Sequence, residues 1–191
     1  AHMLIEDNLI EGTGWQKMEL SWEAGAIKLH NSVDGLIRHN VFRNTFRADH
    51  IWLDCGNENN RITGNLFLDG KEQREAIFIE CTRDGINLID NNKGEAPDSV
   101  YHLAVKIVCN QTRGKINLIE SSIIWFDPGY IVFPNHRAGM ANTDLSIVLR
   151  LTRGEDCLLD KTYRVNHSQE GPQHGFEDSV QANEACLNTM A

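Results

Sequence analysis

The sequence predicts an all-β protein, namely a right-handed parallel β-helix of about four or five coils with a less regular C-terminal region. Two observations lead to this prediction. A short aliphatic motif centred on an asparagine recurs at nearly constant intervals, and a second aliphatic strand motif recurs in phase with it. A leucine-rich repeat has a similar period, but no helical half is visible between the strand motifs. Stacked coils of strands are therefore favoured.

The first motif is Ile-x-x-Asn followed by two apolar residues, and its last copy is degraded. Its asparagines are Asn8, Asn40, Asn65 and Asn92, at steps of 32, 25 and 27 residues. An asparagine at a bend tolerates a left-handed backbone and can donate its amide hydrogens to carbonyl groups of the next coil. Repeated in every coil, these asparagines predict an internal ladder.

The second motif reads AIKLH at 26–30, HIWLD at 50–54 and AIFIE at 76–80, at steps of 24 and 26 residues. Each repeat is thus predicted to hold two strands of about five residues, joined by turns rich in Asn, Asp and Gly. Side chains alternate between the two faces of a strand. The residues predicted to point inward are Ile27, Leu29, Ile51, Leu53, Ile77 and Ile79, and those predicted to point outward are Lys28, His30, Trp52, Asp54, Phe78 and Glu80.

His30, Asp54 and Glu80 end their strands in the same phase and should form one outward column. Because adjacent strands lie about 4.8 Å apart, the carboxyl groups of Asp54 and Glu80 should lie about 5 Å apart. Retaining glycosidases need about 5 to 5.5 Å between two such groups, and inverting ones about 6.5 to 9.5 Å. The spacing therefore favours retention, with one carboxyl of raised pKa serving as the acid. Plain solvated surface is the alternative interpretation.

Three successive segments carry a family resemblance: AGAIKLHNSVDGLIRHN, HIWLDCGNENNRITGNLF and AIFIECTRDGINLIDNN. Together they resemble the catalytic coils of right-handed β-helix glycoside hydrolases, closest to the β-xylosidases of family 120, over about residues 20–92. The resemblance implies that Asp54 is the nucleophile, that Glu80 is the general acid/base, and that the substrate is a pentose-containing plant-type oligo- or polysaccharide. Family members are several times longer, so residues from their further coils have no counterpart here.

The neighbours of the two acids are candidates for substrate binding. Trp52 and Phe78 should be exposed beside the acids and could stack on sugar rings, or else pack under a covering loop. His30 could hydrogen-bond a sugar hydroxyl or hold Asp54 in place. Lys28 and Arg83 could add positive charge that keeps Asp54 ionised.

The period fails after Asn92, which suggests two regions. Residues 1–97 are predicted to form the coils with the site, and residues 98–191 to contribute further strands, a cap and a polar tail. Within the second region, 115–126 could form one more coil, and 145–165 resembles a hairpin. The open end of the coils needs a cover, which this region could supply. Alternatively, two chains could stack end to end as a homo-oligomer.

Composition limits the partners. The chain has 191 residues, 41% of them hydrophobic, with 27 Asp and Glu against 18 Lys and Arg. This balance disfavours nucleic acid, whose phosphates need a basic surface. No apolar run approaches the roughly 18 residues of a membrane span, and no segment has the build of a signal peptide. Carbohydrate is the expected partner, and the compartment stays open between a bacterial cytoplasm and secretion.

The cysteines give no metal signature. They number five, an odd count, and none stands in a Cys-x-x-Cys spacing. Free thiols are therefore favoured over a zinc site, and we expect neither a metal nor another cofactor.

Two other functions compete with hydrolysis. A non-catalytic β-helix could bind polysaccharide through Trp52, and an inactive fragment would have much the same appearance. A polysaccharide lyase would need clustered aspartates for calcium and a basic proton acceptor, whereas the outward column reads His, Asp, Glu.

Overall fold

The structure is a computed structural model that describes residues 2–16, 24–70, 75–95, 104–108, 113–120, 125–129, 144–153 and 156–166. All regular secondary structure in these residues is β-strand, as the sequence predicts. In chain order the strands are β1 Leu4–Glu6, β2 Leu9–Glu11, β3 Gly25–Leu29, β4 Leu36–Arg38, β5 Val41–Arg43, β6 Asp49–Leu53, β7 Arg61–Thr63, β8 Leu66–Leu68, β9 Ile77–Ile79, β10 Ile86–Asp90, β11 Lys93–Glu95, β12 Ala104–Val108, β13 Gly114–Glu120, β14 Trp125–Gly129, β15 Asp144–Arg153 and β16 Asp156–Asn166. The described residues contain no helix that is long and apolar enough to span a membrane.

The strands form three sheets, which the chain visits in turn. The first sheet has the order β1-β4-β7-β10-β13-β15-β16, the second β11-β8-β5-β2, and the third β14-β12-β9-β6-β3. Every neighbouring pair is parallel except β15 and β16, which are antiparallel. This succession of parallel strands is consistent with the predicted parallel β-helix.

Each of the first four coils holds three strands in the described residues, rather than the predicted two. The Ile-x-x-Asn motif is divided at its asparagine, because the chain bends there from the first sheet to the second. In the second coil, for example, β4 lies before Asn40 and β5 after it. The left-handed residue of each bend precedes the asparagine instead of being the asparagine itself: His39 has a φ of 55° and Asn91 one of 56°.

The predicted asparagine ladder is confirmed. The backbone N–H of Asn40 donates to Oδ1 of Asn65 at 3.0 Å, and the backbone N–H of Asn65 donates to Oδ1 of Asn92 at 3.0 Å. The side-chain amide of Asn65 also donates to the Ile37 carbonyl at 3.1 Å, and that of Asn92 donates to the Ile62 carbonyl at 3.0 Å. These buried amides therefore tie successive coils together.

A second ladder was not predicted. Asn60 accepts the backbone N–H of Gly35 at 3.0 Å, and its own backbone N–H donates to Oδ1 of Asn87 at 3.0 Å. Asn60 is buried at the bend that leads from the third sheet to the first, and Asn87 is buried near the start of β10. Asn60 follows a left-handed residue, Asn59, which resembles the arrangement in the first ladder.

The core lies between the sheets, and the predicted alternation explains much of it. The inward aliphatics Ile51, Leu53, Ile77 and Ile79 are fully buried, and successive coils place Ile51 opposite Ile77 and Leu53 opposite Ile79. Parallel in-register stacking of like side chains fills the interior without a change of volume from coil to coil.

Strand stacking continues past residue 97, although the sequence period fails there. β12 pairs in parallel with β9, and β13 pairs with β10. The predicted hairpin is confirmed by the antiparallel pairing of β15 with β16. The segment predicted as one further coil contributes β13 and β14. Residues 167–191, which include most of the predicted polar tail, lie outside the described part of the chain.

His50 should make the protein sensitive to acid. Its buried imidazole stacks on Phe67 and shares a 2.8 Å hydrogen bond with the Thr45 hydroxyl, and burial lowers its pKa from 6.5 to about 3. The unfolded chain therefore takes up a proton near pH 6.5 that the folded chain does not accept until about pH 3. Because of His50 alone, we expect the free energy of unfolding to decrease by about 1.4 kcal/mol for each unit by which the pH is lowered through this range.

The measurement is urea unfolding between pH 4 and 6.5 of the original protein, of His50→Phe, and of His39→Phe at an exposed position. The slope of the unfolding free energy against pH reports the number of protons taken up on unfolding. That number should decrease by about one in His50→Phe and should not change in His39→Phe. An unchanged slope in that variant would contradict the assignment.

Candidate active site

Asp54 follows directly after β6 and is only 7% exposed, so it is not an ordinary surface acid. Its Oδ2 lies 3.0 Å from Nζ of Lys28 and 3.2 Å from Nε2 of His30, both from the preceding coil. Its Oδ1 accepts the backbone N–H of Cys55 at 2.7 Å. Both carboxylate oxygens are thus held by groups that favour the anion.

The backbone that carries Asp54 is fixed by a buried amide, Asn57. Its side-chain nitrogen donates to the carbonyl of Asp54 at 2.6 Å and to the carbonyl of Leu29 at 2.8 Å. Its side-chain oxygen accepts the backbone N–H of Ser32 at 3.1 Å. This amide joins the ends of two successive strands of the third sheet, and so it sets the position of Asp54 relative to Lys28 and His30.

Asp54 is ionised at neutral pH. Burial is the largest single influence and by itself raises the pKa of this carboxyl. Hydrogen bonds with Cys55 and Lys28, together with the charges of Lys28 and His30, outweigh burial, so the pKa lies below its ordinary value of 3.8. The result is a partly buried carboxylate whose charge is balanced by Lys28.

Glu80 follows β9 on the next coil and has the opposite tendency. Burial, followed by the negative charge of Asp54, raises its pKa from 4.5 to about 7. Asp54 has this effect because the two acids follow adjacent parallel strands, β6 and β9. The indole N–H of Trp52 donates to Oε1 of Glu80 at 3.1 Å and opposes the rise. Near neutrality a large fraction of Glu80 is therefore protonated beside an ionised Asp54.

Trp52 and Phe78 do not form the predicted exposed aromatic surface. They point away from the inner core but are only 2% and 4% exposed. Their ring centroids are 4.9 Å apart, and the Lys28 ammonium lies 3.8 Å from the centre of the Trp52 ring. The alternative, that Trp52 packs under cover, agrees with this burial. Trp52 acts here by donating a hydrogen bond to Glu80 and by supporting Lys28 through a cation–π contact.

The remaining candidates divide between the site and its edge. Lys28 and His30 both reach Asp54, as predicted, and the side chain of His30 is 51% exposed. Arg83 instead donates from Nη2 to Oδ1 of Asn31 at 2.8 Å. It therefore braces a neighbouring turn, and the interpretation that its charge acts on Asp54 gains no contact in the structure.

Two cysteines beside the acids were missed as site residues. Cys55 is exposed and Cys81 is half-buried, and neither forms a disulfide. Their sulfur atoms and a carboxylate oxygen of Asp54 all lie within 4.8 Å of one another, a spacing that could hold a metal ion. A signal was present in the sequence, since each cysteine directly follows the acid that ends its strand.

Comparisons with protein-family models, curated proteins and solved structures found no match to this chain. The site is therefore defined by its own geometry, as a pair of neighbouring carboxyl groups of opposite protonation tendency on adjacent parallel strands.

Proposed function

We propose that the coils wind as a right-handed parallel β-helix and that the chain acts as a retaining glycoside hydrolase. The observation that carries this proposal is the carboxyl pair itself. Asp54 is held as an anion by Lys28 and His30, whereas its neighbour Glu80 holds its proton up to about pH 7. Two carboxyl groups whose environments push their pKa values apart are typical of an acid and a nucleophile working on one substrate.

In the proposed first step, an oxygen of Asp54 attacks the anomeric carbon while Glu80 gives its proton to the leaving glycosidic oxygen. A covalent glycosyl ester of Asp54 results. In the second step, the Glu80 carboxylate takes a proton from water, which attacks the same carbon and releases Asp54. Asp54 and Glu80 follow adjacent parallel strands, which lie about 4.8 Å apart, and this spacing supports retention over inversion.

The neighbours have definable tasks in this scheme. Lys28 and His30 hold Oδ2 of Asp54, so Asp54 enters the reaction as a positioned anion. His30 is the exposed member of the group and can also meet a sugar hydroxyl at the entrance. The indole of Trp52 occupies Oε1 of Glu80 and leaves the other oxygen to carry the proton.

The substrate class follows from the resemblance to family 120 rather than from the geometry. We propose a β-linked pentoside of a plant-type oligo- or polysaccharide. The alternative of a carbohydrate-binding protein depended on exposed Trp52 and Phe78, and their burial removes that support. The lyase alternative needs carboxylates free for calcium, whereas Asp54 is paired with Lys28 and His30.

The test is hydrolysis of aryl β-xyloside with a chelator present, with the product followed by proton NMR. A β-configured first product would support the proposal, and an α-configured one would contradict retention. If neither aryl β-xyloside nor other aryl glycosides are hydrolysed, the enzymatic proposal fails. Turnover that appears only when calcium is added would instead favour a lyase.

The alkaline limb of the pH profile should report Glu80. Because Glu80 must be protonated for the first step and has a pKa of about 7, kcat/KM should fall about tenfold per pH unit above that value. In Trp52→Phe the hydrogen bond that lowers the pKa of Glu80 is absent, so the limb should move to higher pH.

The measurement is kcat/KM of aryl β-xyloside from pH 4 to 9 for both proteins, with a chelator throughout. Phe126→Leu, in β14 of the same sheet, is the matched aromatic control and should leave the limb in place. If the alkaline limb of kcat/KM lies at the same pH or at a lower pH in Trp52→Phe, the assignment of Glu80 as the acid is contradicted.

A further inference from the structure

The glycosidase scheme leaves two nucleophilic side chains beside Asp54 without a task. Cys55 directly follows Asp54, and Cys81 directly follows Glu80 on the next coil. Neither cysteine forms a disulfide, and Cys55 is exposed. Adjacent coils thus place two sulfur atoms and one carboxylate oxygen within 4.8 Å of one another.

We propose that Asp54, Cys55 and Cys81 bind a thiophilic divalent cation, with Zn²⁺ as the ion that best suits them. Zinc bonds to sulfur at about 2.3 Å and to carboxylate oxygen at about 2.0 to 2.2 Å, so its tetrahedral ligands lie about 3.5 to 3.8 Å from each other. The present separations are within 4.8 Å. Small rotations of the three side chains would close the site around an ion.

The donor set also selects the kind of ion. Two thiolates and one carboxylate suit zinc or cadmium, whereas calcium and magnesium prefer oxygen ligands alone. Binding releases the protons of both thiols, and the cation offsets the negative charge that then gathers around Asp54. Three protein ligands leave a fourth position open to water.

The surroundings provide support and access. His30 lies 3.2 Å from Oδ2 of Asp54, so it can orient the carboxylate from behind in the way that outer partners orient metal ligands. Cys55 is exposed, which gives an ion a path from solvent. Lys28, 3.0 Å from the same oxygen, opposes a cation by its charge, and the two thiolates must outweigh it.

The site has a consequence that rests on the proposed function. An Asp54 carboxylate bound to zinc cannot attack an anomeric carbon, so zinc should inhibit hydrolysis and a chelator should restore it. Metal binding itself does not depend on the proposed activity.

Binding should be measured directly on reduced, metal-free protein. The background is a variant in which Cys109, Cys157 and Cys186 are replaced by serine, so that Cys55 and Cys81 are the only thiols. Zinc titration by calorimetry should give one ion per chain, and cadmium should give the ultraviolet absorption of sulfur-to-metal charge transfer. Adding Cys55→Ser or Cys81→Ser should weaken binding about 100-fold or more.

Asp84→Asn, at an exposed acid outside the cluster, is the matched control for Asp54→Asn. Only Asp54→Asn should weaken binding, with circular dichroism used to show that each variant keeps its strands. Absence of a charge-transfer band, or binding that survives loss of both cysteines, would overturn the site. Hydrolysis that continues at full rate with zinc bound would overturn Asp54 as a ligand, whereas absence of any hydrolysis would leave the binding result to stand by itself.

Discussion

Replacing Asp54 with asparagine is expected to lower kcat on aryl β-xyloside about 10⁴-fold, which would make it the most damaging single change at the site. Asparagine has the same shape but cannot form the glycosyl ester on which the first step depends. It also leaves the ammonium of Lys28 without the carboxylate that lies 3.0 Å away. Steady-state kinetics with a chelator present, together with thermal unfolding, separates lost chemistry from lost folding.

Asp84→Asn is the matched control, because Asp84 is exposed and forms an ion pair with Arg113 rather than with site residues. Its turnover should stay within about twofold of the original, as is usual for surface substitutions. Azide gives a sharper test of the role. With Asp54→Gly it should restore turnover and yield a glycosyl azide of inverted configuration, because azide would attack from the side where the carboxylate lay. Undiminished turnover in Asp54→Asn would refute the assignment.

Replacing Asn65 with alanine is expected to destabilise the fold by about 3 kcal/mol, the largest stability effect that we predict for a single side chain. Asn65 is 1% exposed, and its amide joins three coils. Its oxygen accepts two hydrogen bonds from Asn40, and its nitrogen donates to Ile37 and Asn92. Alanine would leave several of these buried partners without a hydrogen bond, which costs more than a bond is worth.

Urea unfolding checks this prediction, and Asn8→Ala is the matched control. Asn8 belongs to the same ladder but is exposed, and it donates to Asn40 without accepting from a further described coil. Its loss should cost under about 1 kcal/mol. Equal costs for the two substitutions would mean that the ladder does not stabilise the stack.

The repeating part of the fold could be predicted from the sequence because its signal is local. A strand exposes alternate side chains on opposite faces whatever surrounds it, so Ile51, Leu53, Ile77 and Ile79 could be placed in the core. The ladder was equally visible, because Asn40, Asn65 and Asn92 must recur wherever each coil makes the same bend.

Other features of the fold depended on how coils meet. The third strand of each coil was missed because three residues on either side of an asparagine are too few to show alternation. The stacking after residue 97 was predicted only in part, as further strands and one possible coil, because parallel pairing needs strands to be adjacent, whereas a sequence period also needs turns of equal length. β12 and β13 pair with earlier strands in spite of an irregular spacing.

The site was predicted only in part, for a related reason. The position of each residue within the repeated strand motif was enough to place His30, Asp54 and Glu80 in one column. It also placed Lys28 near Asp54. Phase could not reveal that Trp52 is buried and donates to Glu80, since burial depends on what packs over a face. The cysteine pair has the same phase as the acids, but its meaning emerged only from the distances between sulfur and oxygen.

The sequence by itself thus determined which residues recur, which face each one takes, and which two acids stand on neighbouring coils, because these follow from the period of the strand and of the coil. The tertiary structure decided which contacts set the charge state of each acid. Lys28 and His30 meet on one oxygen of Asp54, whereas burial and the charge of Asp54 keep the proton on Glu80. Protonation depends on desolvation and on charges a few ångströms away, and the neighbours that set both come from different coils.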